Sequence, residues 1–247
     1  MKKFIHYRHA TSLILINDKK ILIDPVLANK ETYPPIIYTK NKRKNPLVNL
    51  PTTIDKILNV DGIIITHNHN DHFDILAKKI INKSIPILCQ KEDYNSFTES
   101  GFKNLTFIDR ETTWMGVNIK RFIGTHGGHI YNKKLGVSSS YLLTVKDSTV
   151  YLTGDTLLTL SVRKILRKIK PNFIIANGGG ARMNLLGKIT MNNRDLMELA
   201  KINNNSTVIA VHMDSINHCE DTREKLNNIN NIPNLLVPKD GEEIILY

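Results

Sequence analysis

The 247-residue sequence predicts an α/β protein in one domain spanning residues 1–247, with two mixed β-sheets packed together and helices on their outer sides. Three observations predict it. Strand-like runs precede helix-like segments in both halves of the chain, each half opens on a hairpin, and the most polar loops follow directly on strands. Apolar residues make up 41% of the chain, enough to fill a core of that size.

The elements follow in order. Ser12–Ile16 and Lys20–Asp24 read as strands joined through Asn17-Asp18-Lys19. Residues 26–52 then break the pattern with Pro34, Pro35, Pro46 and Pro51, and carry the basic run Lys40-Asn41-Lys42-Arg43-Lys44. So long an irregular segment in a compact domain is a functional loop or a mobile one, and the basic run reads either as a solvated loop or as a binding patch. Strand Ile63–Thr66 leads into a polar loop, followed by a helix from about Asp74 to Ile81, a strand at Ile85–Cys89 and a helix from about Lys91. Strands at Leu105–Ile108 and Val117–Phe122 complete the first half.

The second half opens on the hairpin Tyr141–Val145 and Val150–Thr153, turning at Lys146-Asp147-Ser148. Helix Ser161–Lys168, strand Phe173–Ala176, helix Asn193–Lys201, strand Thr207–Val211 and helix Asp221–Asn228 alternate after it. Leu235–Val237 and Glu243–Leu246 read as edge strands. No short-period repeat or low-complexity linker interrupts the chain.

Lys+Arg exceed Asp+Glu by 34 to 23, a net charge of +11. That balance suits anionic partners, although the lysines lie beside asparagine and isoleucine throughout, as a general compositional bias would place them. Aromatics are only 6%, which argues against the stacking platforms of single-strand nucleic-acid binders. Two cysteines, Cys89 and Cys219, give no disulfide framework and fit a reducing cytoplasm. The apolar run Leu13–Ile16 is too short for a signal peptide, and no stretch approaches the ~18 apolar residues of a membrane helix. The expected location is therefore cytoplasmic, with no membrane partner.

The run Thr66-His67-Asn68-His69-Asn70-Asp71-His72 concentrates three imidazoles and a carboxylate directly after an apolar strand. Imidazole with carboxylate suits zinc, and also manganese or iron. Further donors recur after later strands: His126 with His129 close by, Asp155 after Gly154, and His212 with His218 beyond it. A turn aspartate is the bland reading of Asp155, and a loop or cap residue that of His129 and His218. His6 and His9 lie outside this set, and His9 reads as structural or as a minor support. Arg182 follows Gly178-Gly179-Gly180; glycines let a backbone approach a ligand closely, and arginine suits a carboxylate or phosphate. A solvated turn arginine is the alternative. Cys219 has no nucleophile pattern around it, and Met183, Met191 and Met213 read as packing.

These motifs, His67-Asn68-His69-Asn70-Asp71-His72, His126, Asp155 and His212, with Asp24 after Leu22-Ile23, make the chain resemble the metallo-β-lactamase-fold hydrolases along nearly its whole length. Gly178-Gly179-Gly180-Ala181-Arg182 and the segment from Ala210 to Cys219 look like its ascorbate-6-phosphate lactonase-like bacterial branch. The resemblance implies an αβ/βα sandwich and two divalent metal ions, zinc first, with manganese or iron as alternatives. It implies that His67, His69 and His126 hold one ion, that Asp71, His72 and His212 hold the other, and that Asp155 bridges them. Asp71 is also the candidate to orient or accept a proton, with Asp24, Arg182 and His218 as supports or substrate contacts.

The expected activity is hydrolysis of a small anionic ester-like substrate, a lactone or a phosphodiester, by a metal-bound hydroxide. A nuclease would use the positive charge, but no inserted domain large enough to clamp a polynucleotide stands between His126 and His212. A non-catalytic binding protein stabilised by metal is the third reading. Loops 26–52, 127–137 and 178–192 are expected to line the pocket, and homo-oligomerisation is left open.

Overall fold

The structure, a computed structural model, describes residues 3–127, 135–184, 187–229 and 231–245. Its first half runs β1 (Lys3–Arg8), β2 (Thr11–Ile16), β3 (Lys19–Ile23), α1 (Ile54–Ile57), β4 (Gly62–Ile64), α2 (Ile75–Ile80), β5 (Ile87–Gln90), a 3-10 turn at Lys91–Asp93, α3 (Tyr94–Glu99) and β6 (Leu105–Ile108). The second runs β7 (Glu111–Trp114), β8 (Val117–Ile123), β9 (Ser139–Val145), β10 (Ser148–Leu152), α4 (Leu160–Ile169), β11 (Phe173–Asn177), a small hairpin of β12 (Arg182–Met183) and β13 (Gly187–Lys188), α5 (Asn193–Ile202), β14 (Thr207–Val211), α6 (Arg223–Ile229), β15 (Leu235–Leu236) and β16 (Glu243–Ile245).

Two seven-stranded sheets result, ordered β16-β1-β2-β3-β4-β5-β6 and β15-β14-β11-β10-β9-β8-β7. Strands β3 to β6 are parallel, as are β10, β11, β14 and β15, while the hairpins that open each half pair antiparallel. The β2–β3 turn puts Asn17 and Asp18 at φ 51 and 56, the left-handed pair of a tight hairpin turn. Between the sheets Phe4, Ile14, Ile64, Leu143, Val150 and Ile209 form one core. Helices α1 to α3 cover the outer face of the first sheet through Ile57, Ala77 and Phe97, and α4 to α6 that of the second through Leu166, Leu196 and Leu226. This is the mixed two-sheet α/β architecture expected from the sequence. No helix among the described residues is long and apolar enough to cross a membrane.

The differences from expectation have local causes. Strand β4 stops at Ile64 because the Thr66 amide donates to Asp24 Oδ1 (2.7 Å) instead of a neighbouring strand. Helix α6 starts at Arg223, not Asp221, because the Asp221 carboxylate accepts from the Asn193 amide (2.8 Å) and Thr222 takes the cap, accepting from Lys225 N (3.1 Å). Strands β1 and β7, helix α1 and the β12–β13 hairpin were not expected. Residues 26–52 are irregular but anchored. The buried Arg8 guanidinium donates to the carbonyls of Val26, Ala28 and Val48, and the Asn217 amide to those of Ile36 and Asn41.

Candidate metal centre

Residues just beyond the ends of β3, β4, β8, β10 and β14 converge at one edge of the sandwich. They are Asp24, the His67–His72 loop, His126, Asp155 and His212. His67, His72, His126, Asp155 and His212 are buried, and Asp71 is nearly so. Parallel strands of both sheets end here, where loops can aim side chains into a common space.

The donors fall into overlapping groups. His67, His69 and His126 lie together, as do Asp71, His72 and His212, with His9 beside them; Asp155 lies between, grouped with His67 and His72. His67 Nε2 stands 2.9 Å from His69 Nδ1, and His72 Nε2 3.2 Å from His212 Nε2. Asp155 Oδ1 is 3.3 Å from His72 Nε2 and 3.4 Å from His212 Nε2, while its Oδ2 turns to His126 at 3.9 Å. Asp71 Oδ2 is 3.8 Å from His212 Nε2 and 3.5 Å from His218 Nε2.

The outer ring nitrogens have partners that set the tautomers. His72 Nδ1 donates to Asp24 Oδ2 (2.8 Å), His69 Nε2 to the Leu135 carbonyl (2.7 Å) and His126 Nδ1 to the Ile189 carbonyl (3.0 Å). Thr66 Oγ1 donates to Asp24 Oδ2 (2.7 Å), so it accepts from His67 Nδ1 (3.0 Å). His67 Nε2 and His69 Nδ1 are then bare lone pairs. They face each other 2.9 Å apart, which is repulsive unless a cation sits among them. Outer partners of this kind are how metal-ligating histidines are oriented, so the donor set fits divalent ions.

Electrostatics agree. Burial keeps the His67 and His212 rings neutral by lowering their pKa, and pushes His126 and His218 down to about 4. Burial opposes ionisation of Asp71 and Asp155, yet the surrounding imidazoles hold both well below the usual carboxylate range. His72 is the exception: burial works against its proton, but Asp155 and Asp24 outweigh it and raise its pKa well above normal.

Glycines shape the walls. Gly154 has φ +55 and no room for a side chain, since a Cβ would meet the Ser139 carbonyl at 2.3 Å. At Gly179 a Cβ would meet the His212 carbonyl at 2.0 Å and Cys219 Sγ at 2.8 Å. The Gly178–Gly180 run therefore serves close packing of the chain against itself.

A cavity of about 360 Å³ opens beside the cluster, lined among others by Lys40, Arg182, Asn217, His218 and Cys219. His218 belongs to both cavity and cluster. The exposed Arg182 is held beside it, its amide donating to the His218 carbonyl (2.9 Å). Lys40 pairs with Glu220 at 3.4 Å. Loops 26–52 and 178–192 both reach this cavity; His129 and most of 127–137 lie outside the described residues. One residue absent from the expected site joins it. His9, in the β1–β2 turn, is fully buried with Nε2 3.6 Å from Asp71 Oδ2. No spacing rule reveals a lone histidine brought in from a distant hairpin.

Comparison with known proteins gives concordant results. Residues 4–212 match the family model described as a β-lactamase superfamily domain. The UPF0173 protein YddR of Bacillus subtilis (strain 168) is 36% identical over 244 residues, covering 95% of this chain and 96% of that protein. The crystal structure of a possible metal-dependent hydrolase from Veillonella parvula DSM 2008 superposes with TM-score 0.94 at 35% identity, over 100% of each chain. That of an isothiocyanate hydrolase from Delia radicum gut bacteria gives 0.92 at 32% identity, over 99% of each.

Proposed function

The chain belongs to the β-lactamase superfamily, within the UPF0173 metal-dependent hydrolases, and from that premise we propose that it hydrolyses a small molecule at a dinuclear centre. The observation that carries the proposal is the pair of facing, bare nitrogens of His67 and His69, with the His72 and His212 nitrogens 3.2 Å apart on the other side of Asp155. His67, His69 and His126 would hold one ion and Asp71, His72 and His212 the other, with Asp155 between the two groups. Two divalent ions, zinc first, would supply an acidified water and polarise the bond to be broken. Asp24 fixes His72, Asn177 Nδ2 donates to Asp155 Oδ1 (2.8 Å), and Asp71 would orient the attacking water or accept its proton. His218 faces the cavity from the cluster, where a substrate would lie.

For the substrate, the full-length relative that hydrolyses isothiocyanates puts an electrophilic carbon first. A second reading, a lactone or phosphodiester, is supported by Arg182 on the cavity wall, where it would take an anionic end, and by the sequence likeness to the lactonase-like branch. The test is turnover of an isothiocyanate, a lactone panel and an aryl phosphodiester by zinc- or manganese-loaded protein, beside Asp155→Asn. Turnover of one class, lost in the variant, is expected. Metal-independent turnover, or turnover unchanged in Asp155→Asn, contradicts the proposal.

A further inference from the structure

His9 is fully buried, like His72 and His212 beside it. It occupies the β1–β2 turn at φ +58, a left-handed conformation unfavourable for a residue with a side chain. Its carbonyl accepts from the His212 amide (2.7 Å), and His212 itself sits at φ +67. Its ring lies against that of His212, with centroids 3.7 Å apart and planes tilted 40°. Neither ring nitrogen has a hydrogen-bond partner, although both are shielded from water. Nε2 is aimed at Asp71 Oδ2 across 3.6 Å.

Distance alone would allow His9 to share an ion with Asp71, His72 and His212. Two features argue otherwise. Imidazoles that bind one ion at ~2.1 Å keep their centroids roughly 4.5 Å or more apart. The paired candidates lie close to this limit or beyond it: His67–His69 at 4.4 Å, His72–His212 at 5.1 Å, His69–His126 at 5.2 Å and His67–His126 at 5.6 Å. The His9–His212 pair is too close, and its geometry is that of stacking. Further, His67, His69, His72 and His126 each engage the outer nitrogen in a hydrogen bond, as oriented ligands do, and His9 does not.

We infer that His9 is a positioning residue for the second metal position: its Nε2–H braces the Asp71 carboxylate and its ring backs the His212 imidazole, without itself binding the ion. This rests on the dinuclear reading above. His9 lies against all three residues assigned to the second position, Asp71, His212 and, edge-on at 6.0 Å, His72. An unmade hydrogen bond at a buried polar atom is unfavourable, so closing the Nε2–Asp71 gap is favoured when the second position fills. His9 therefore couples β1–β2 turn geometry to one ion and not the other.

The experiment is a cobalt(II) titration followed by visible absorption and by metal analysis after dialysis, on wild type, His9→Phe and His9→Gln. Phenylalanine keeps the stacking ring and removes the donor, while glutamine keeps a donor at similar reach. Wild type should bind two ions. His9→Phe should bind the first ion as wild type does and the second at least tenfold more weakly, by analogy with removal of other outer partners. His9→Gln should recover most of that loss. Equal weakening of both ions, or two ions bound at wild-type affinity in His9→Phe, overturns the inference and leaves the dinuclear reading intact. A single ion in wild type overturns both. Should His9→Phe fail to fold, wild type decides alone. Cobalt-loaded protein should show paramagnetically shifted imidazole signals from the five assigned ligand histidines, and a sixth such ring assigned to His9 refutes the positioning role.

Discussion

Single residues at this site are held by partners that act on them and not on the reaction. Asp24 is the clearest: in a left-handed backbone conformation at φ +44, it receives the Thr66 amide, the Thr66 hydroxyl and His72 Nδ1. Replacing it with alanine should weaken metal binding about 10–100-fold, read by competition with a chromophoric chelator, because His72 loses both orientation and tautomer. The histidines also set a pH dependence for the metal-free protein. His126 and His218, pushed to about 4 by burial, take up protons later in the folded state than in the unfolded chain. The unfolded state then binds more protons between roughly pH 6.5 and 4, so stability falls as pH falls through that window. His9, His67 and His212 have the same sign. His72 has the opposite one, since its contribution is present below its unfolded pKa and is lost as pH rises through its raised folded pKa. The lowered histidines, His6 among them, outnumber His72, Asp74 and Asp93, whose pKa values are raised, and thermal scans of chelator-treated protein should show melting falling from pH 7 to 4.5. A flat or rising trend would refute that balance. Metal release should occur in the same window, because ligation competes with protonation.

Elements carry the site by where they end, and most of those ends are legible in the sequence. The apolar runs before His67, Asp155 and His212 give strands β4, β10 and β14, and the polar residues after them mark the active edge. Strand β1 escaped because Lys3-Phe4-Ile5-His6-Tyr7-Arg8 mixes charge with apolar residues, and one of its two partner strands, β16, comes from the far end of the chain. His9 escaped with it, since its role depends on two partners that only the fold brings near. The clustered donors were legible because six consecutive positions supply four of them. The roles of Gly178–Gly180 were not, because close packing against Leu196 and His212 leaves no local signature. Two substitutions separate these effects. Gly179→Ala drives a methyl into the His212 carbonyl and should cost about 1–3 kcal/mol, weakening the second metal position as well. Asn192→Ala removes the capping box that starts α5 and should cost about 1 kcal/mol with metal content unchanged. Denaturant midpoints and metal analysis on both variants check the contrast.

At the scale of the whole molecule, the two sheets keep their core independent of the ions. None of the donors belongs to the inter-sheet core or to either outer core, so the metal-free chain should remain folded. Each bound ion at ~100-fold excess over its dissociation constant adds about 2.7 kcal/mol, and chelation should lower melting by roughly 5–10 °C per ion. Loss of far-ultraviolet circular dichroism on chelation would instead make the ions structural. Hydrolysis is expected to need both metal positions filled. The direct measurement is the turnover rate of metal-free protein as zinc is added in steps from zero to three equivalents per chain, with the substrate identified in the panel. The account predicts little activity at one equivalent and a plateau at two. Full activity at one equivalent, or activity independent of metal, would contradict it.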